Sequence, residues 1–131
     1  MHKIYLAVVF SILVIAPVAM VGSSNTSTEQ QDKRDAVQTV RMINTAEMSY
    51  ARKQGRFATY QELVSAGLVD KSMLPQANDS TQEPLSGFHL KLVVSGDGKA
   101  YELSLVQKTG SSRWGLFSSD EGLIYQGQPL Q

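Results

Sequence analysis

The chain has 131 residues, no cysteine, and 12 basic residues against 12 acidic ones. That length supports one domain, with roughly 110 residues left for a single modest core once an apolar N-terminal segment is set aside. The lack of cysteine excludes disulfides, thiolate zinc sites and thiol nucleophiles. No basic tract exceeds two residues, which argues against the clustered positive charge that nucleic-acid binding requires.

His2 and Lys3 precede an uncharged run from Ile4 to Val21. A positive start followed by an apolar stretch is an export signal. Two fates fit it. Pro17 and the small residues of Val21-Gly22-Ser23 suit cleavage, although there is no Ala-x-Ala. The run itself is about the minimum that spans a bilayer, so retention as an anchor fits equally. With Lys3 held inside, both fates place the rest of the chain outside the cytoplasm. The expectation is a signal peptide or signal anchor over residues 1–22, a flexible polar spacer over 23–31 and a globular domain over 32–127. The protein would sit in the periplasm or cell envelope, either released or anchored by residues 4–21.

The spacer reading rests on the polar, low-complexity sequence Ser23 to Gln31. Asn25-Thr26-Ser27 and Asn78-Asp79-Ser80 match the glycosylation sequon, a short pattern of low specificity. From about Thr28 the pattern becomes helical: Val37, Val40, Ile43, Ala46 or Glu47, and Tyr50 recur at three- and four-residue intervals. Asp32 and Asp35 early and Arg52, Lys53 and Arg56 late give a charge order that suits the helix dipole. The Arg52/Lys53/Arg56 cluster reads as a solvated helix end in preference to an anion site, and Gly55 as the residue that closes the helix.

Thr59 with Glu62 three residues on has the spacing of a capping box. It predicts a short second helix with Leu63, Val64, Ala66 and Leu68 on its apolar side and Gly67 at its end. Pro75 to Pro84 offers almost nothing to bury and predicts a surface loop. The period then changes to two. Phe88, Leu90, Leu92 and Val94 alternate with His89, Lys91 and Val93, and Asp97-Gly98 marks a two-residue hairpin turn. Closure there pairs Val94 with Tyr101, Leu92 with Leu103 and Leu90 with Leu105, so the large apolar residues share a face. His89, Lys91, Glu102 and Ser104 fall on the opposite, solvated face. A second hairpin runs from Arg113 to Ser118, turns at Ser119-Asp120-Glu121-Gly122 and returns through Leu123-Ile124-Tyr125. The predicted class is α+β: a long helix packed on an antiparallel sheet of about four strands in two hairpins.

The segment Arg41 to Asp70, RMINTAEMSYARKQGRFATYQELVSAGLVD, resembles the globular part of type IV pilin-like proteins, including bacterial pseudopilin-type proteins. In many of these a helix with an INTA…Y pattern leads through a Gly-aromatic break into a short helix. The ending Gly115 to Tyr125 is similar to their closing hairpin. The likeness spans about residues 35 to 126 and rests on structural patterns. It implies a pilin-like fold, a structural or accessory role in the cell envelope without enzymatic activity, and partners among other pilin-like or secretion-system subunits. The inner membrane is added if the leader is retained. The alternative is a soluble periplasmic binding or adaptor module that keeps the fold and does not assemble. One departure is plain: no Gly precedes the apolar run, and no Asp or Glu occurs from Met1 to Thr28. The usual prepilin leader and the membrane-buried carboxylate that registers a subunit in a filament are both lacking.

No residue set announces a reaction, so catalytic, cofactor-binding and metal residues are all expected to be none. His89 is the only histidine beyond the leader and reads as a surface residue; no Gly-x-Ser-x-Gly is present. Some pseudopilins bind calcium through loop carboxylates. Here Asp120-Glu121 supplies two side chains where calcium takes six to eight oxygens, so it reads as a turn. Glu47 is the odd residue of the helix, with no basic residue three or four positions away. Arg113 as a sheet partner, exposure at the helix edge, and a bond to a neighbouring subunit all fit it. Trp114 and Phe117 fall on opposite sides of a strand, so one is expected to be exposed, either as a contact surface or packed under the Thr109 to Ser112 loop.

Overall fold

The computed structural model describes residues 24–70, 81–82, 85–110 and 112–128. The apolar leader, the second sequon and most of the Pro75 to Pro84 segment lie outside the described residues. Helix α1 runs Ser24–Gln54 and α2 runs Tyr60–Ser65. Strands β1 (Thr81–Gln82), β2 (Phe88–Val94), β3 (Tyr101–Gln107), β4 (Gly115–Ser119) and β5 (Ile124–Gly127) follow. All neighbours pair antiparallel in the order β1-β2-β3-β4-β5, a meander of four longer strands with a two-residue edge. The α+β expectation holds, and the short β1 falls inside the stretch expected as loop.

Helix α1 begins inside the segment expected as a spacer. The chain holds no Gly or Pro from Ser23 to Gln54, and side-chain pairs one turn apart support the early turns. Glu29 and Lys33 pair at 3.1 Å and Gln31 Nε2 donates to Asp35 Oδ1 at 2.8 Å. The early start changes the dipole argument: the first turn carries no acidic residue, and Asp32 and Asp35 lie too far inside to act on it. Arg52 and Lys53 do occupy the last turn. Gly55, at φ 73°, closes the helix by donating its N–H to the Ala51 carbonyl at 2.8 Å.

α2 has both ends built as its sequence predicts. Thr59 Oγ1 accepts from the Glu62 N–H while the Glu62 carboxylate accepts from the Thr59 N–H. At the other end Gly67, φ 71°, donates to the Val64 carbonyl and Leu68 donates to Leu63, a Schellman closure. Leu63 is buried and Leu68 packs against the core, while Ala66 is exposed.

The first hairpin has the predicted register, Val94 opposite Tyr101, Leu92 opposite Leu103 and Leu90 opposite Leu105. Its turn is longer than two residues. The ladder closes at Ser95 and Ala100, and Gly98 donates back to the Ser95 carbonyl at 2.9 Å. A two-residue type I′ turn would need positive φ at Asp97, and among the described residues only glycines have it. Asp97 is instead held by Ser95 Oγ at 2.6 Å and the Lys99 N–H at 3.0 Å. The two closures share one register, which is why the pairing survives the change of turn.

One face of the sheet packs against α1, chiefly through β3 and β4. The core joins Ala36, Val40, Ile43 and Ala46 of the helix to Leu90, Leu103, Leu105 and Leu116 of the sheet. The buried stripe is rotated slightly from the predicted one: Ala36 is fully enclosed and Val37 lies at its margin. Trp114 is buried edge-on against Phe88, with ring centroids 5.3 Å apart, under the Lys33 ammonium.

Candidate functional site

The helix–sheet contact contains a polar seam. Asn44 lies on the buried stripe beside Ile43, and its amide reaches two strands at once. Its Oδ1 accepts from the Tyr101 hydroxyl at 2.9 Å and its Nδ2 donates to Ser118 Oγ at 2.8 Å. The Ser118 hydroxyl in turn donates a hydrogen bond to the Leu123 carbonyl at 2.7 Å. Helix α1, strands β3 and β4 and the final turn are thus tied by one chain of bonds among buried groups.

One helical turn on, Glu47 is completely enclosed. Its Oε2 accepts from the Ala58 N–H at 2.8 Å, and its Oε1 has no hydrogen-bond partner. Burial pushes its carboxyl up to about 7; the Ala58 N–H opposes this and the Glu62 charge adds to it slightly. Enclosure corrects two of the expectations for Glu47, exposure at the helix edge and a bond offered to a neighbouring subunit, and the Ala58 N–H stands where Arg113, itself exposed, was the expected partner. The bond instead fastens the connection between the helices to the flank of α1. The next residue back, Phe57, donates its N–H to the Gly98 carbonyl at 2.8 Å and sets its ring edge-on to Tyr101 at 4.9 Å. Burial, then the charges of Glu47 and Asp120, raise the Tyr101 phenol to about 12.

Outside this clamp, Arg56 forms a forked pair with Glu62, at 2.6 and 3.2 Å, and lies 5.5 Å from the Tyr50 ring centroid. Arg52, Lys53 and Arg56 are all exposed, and Arg56 is held in a local network with Glu62 and Tyr50. The Arg56 and Thr59 bonds hold the Glu62 carboxyl down at about 2. Gly98 is required twice: its φ is +70°, and a Cβ there would come within 2.9 Å of Arg56 Cβ.

A buried carboxyl near neutrality is the kind of group that acid–base chemistry uses. Glu47 lacks the other requirement, because a general base must reach the proton it removes and this one has no exposed surface. His89 is exposed on the outer sheet face, and Asp120 and Glu121 are exposed in the β4–β5 turn. Among the described residues no group of three or more His, Asp or Glu could hold a metal ion. Phe117, on the outer face, is half-buried, and its ring covers the backbones of Gly115 and Gly127. The residues the sequence singled out are thus scattered, while the bonds that join Asn44 to Tyr101 and Ser118 went unforeseen. A polar residue inside an apolar helical stripe was the available signal for Asn44.

No family model, no curated protein and no solved structure matches the chain. No helix among the described residues is long and apolar enough to cross a membrane. Local geometry and the sequence pattern therefore carry the functional argument.

Proposed function

We propose that this protein is an exported, non-enzymatic, pilin-like structural or accessory component of the cell envelope, related in fold to pilus and secretion pseudopilin subunits. One observation carries the proposal: a 31-residue helix that follows on an apolar run packs the stripe from Ala36 to Ala46 across an antiparallel meander. Its buried groups support the same reading. The polar seam consists of enclosed residues that join elements, an arrangement for holding a domain rigid against its own helix.

A second reading, a soluble adaptor module that does not assemble, is favoured by the start of α1. Thr28, Glu29, Gln30 and Gln31 are all exposed and polar, unlike the apolar surface that a helix buried in a filament core presents. Protease treatment of intact cells and of spheroplasts tests export itself. The expected result is degradation only after the outer barrier is opened; full resistance in spheroplasts would contradict both readings.

A further inference from the structure

The register of the sheet places every outer-face side chain on a grid. Lys91, Ser104, Phe117 and Tyr125 form one row across β2 to β5, and Val93, Glu102 and Ser119 form the next. Helix α1 covers the opposite face only. Two of the few exposed large apolar residues stand on this open face, Val93 at 46% and Tyr125 at 56% exposure, with Phe117 between them. A groove of about 320 Å³ runs among Lys91, Val93, Glu102, Ser104 and Phe117.

Lys91 and Glu102 are diagonal neighbours on this grid, a relation that sets Cβ atoms about 7–8 Å apart. They make no ion pair with each other or with any other described residue. One positive and one negative group, side by side and unpaired among apolar residues, form a self-complementary pattern. A two-fold axis lying between two such faces and passing over Val93 and Phe117 sets Lys91 of each copy opposite Glu102 of the other. The same operation brings Val93 to Val93 and Phe117 to Phe117, an isologous contact.

We infer that the outer sheet face is an interface for a second copy of this chain, held by reciprocal Lys91–Glu102 pairs around a Val93–Phe117 centre. Four strands about 4.8 Å apart and about five residues long make a face of roughly 19 by 17 Å. That is smaller than the ~800 Å² per partner of a standard interface, so the dimer is weak and transient. The inference stands independently of the cell-envelope role.

The test uses the full chain in density-matched detergent. Sedimentation equilibrium should show a reversible monomer–dimer transition below about 1 mM. Zero-length carbodiimide coupling of mixed ¹⁴N- and ¹⁵N-labelled protein should yield a mixed-label Lys91–Glu102 peptide. Lys91→Glu should weaken the dimer at least about tenfold by placing like charges together, as should Glu102→Lys. The charge-swapped double variant should return to within about threefold of the original. A chain that stays monomeric to about 1 mM overturns the inference. So does a dimer indifferent to Lys91→Glu, a double variant as weak as the singles, or the absence of any mixed-label Lys91–Glu102 peptide.

Discussion

At the scale of single residues, Glu47 and Asn44 are the positions where the fold depends on polar groups. Glu47 has a folded-state pKa of about 7, raised from 4.5 by burial. Below pH 4.5 both folded and unfolded chains carry the proton. Between 4.5 and 7 the unfolded chain releases it first, so stability falls as pH rises through this window, by at most about 3 kcal/mol. Glu62 acts in the opposite sense. Its carboxyl is held at about 2, so its contribution is present above 4.5 and is lost as pH falls toward 2. Stability measured by urea unfolding should therefore peak near pH 4.5–5. Glu47→Gln keeps an acceptor for the Ala58 N–H and cannot ionise. Its stability relative to the parent should rise between pH 5 and pH 8, and a constant difference would refute the assignment. Asn44→Ala strands the Tyr101 hydroxyl and breaks the bond to Ser118, at an expected cost of about 2–3 kcal/mol. In a Tyr101→Phe background the same substitution should cost less, because one of its bonds is already gone.

At the scale of elements, legibility depended on whether the determinants were local. The α2 caps lie within a few residues of one another, so Thr59, Glu62 and Gly67 could be read directly from their spacing. The β2–β3 register was legible because an odd shift would turn Leu90, Leu92, Leu103 and Leu105 toward solvent. The turn was not, since Ser95 Oγ and the Asp97 carboxylate bond to each other and together hold the Lys99 N–H, which the Asp-Gly pair does not reveal. Glu47 was misplaced for a similar reason. Its partner is a backbone N–H eleven residues on, and no side-chain pattern announces that. Gly98 joins the two halves of the molecule at this level, by its positive φ and its closeness to Arg56. Gly98→Ala should destabilise the fold by about 1–3 kcal/mol in thermal or urea unfolding. A neutral effect would mean that the Phe57–Gly98 junction is looser than its 2.8 Å bond indicates.

At the scale of the whole molecule, the domain is a two-layer structure with its helix on one side of the sheet and no described element on the other. The layers were foreseeable from periodicity: one stripe of the helix and one face of the strands had to meet. The clamp that fixes them was not, because Asn44, Tyr101 and Ser118 are brought together over 57 and 74 residues of chain. The helix continues upstream to Ser24, next to the apolar run, so a pull or an anchor at the N-terminus would act on the domain through α1 and its polar seam. Helices in proteins owe most of their stability to packing, and here that packing begins near Asp32. The exposed residues 28–31 should accordingly exchange their amides faster than Val40 to Tyr50.

The most direct test of the envelope-component proposal is the intact mass and N-terminal sequence of the protein recovered from soluble and membrane fractions of its host. The proposal predicts a chain that retains Ile4 to Val21 and sediments with membranes. A chain beginning near Ser23 in the soluble fraction would contradict anchoring and leave the released module in its place.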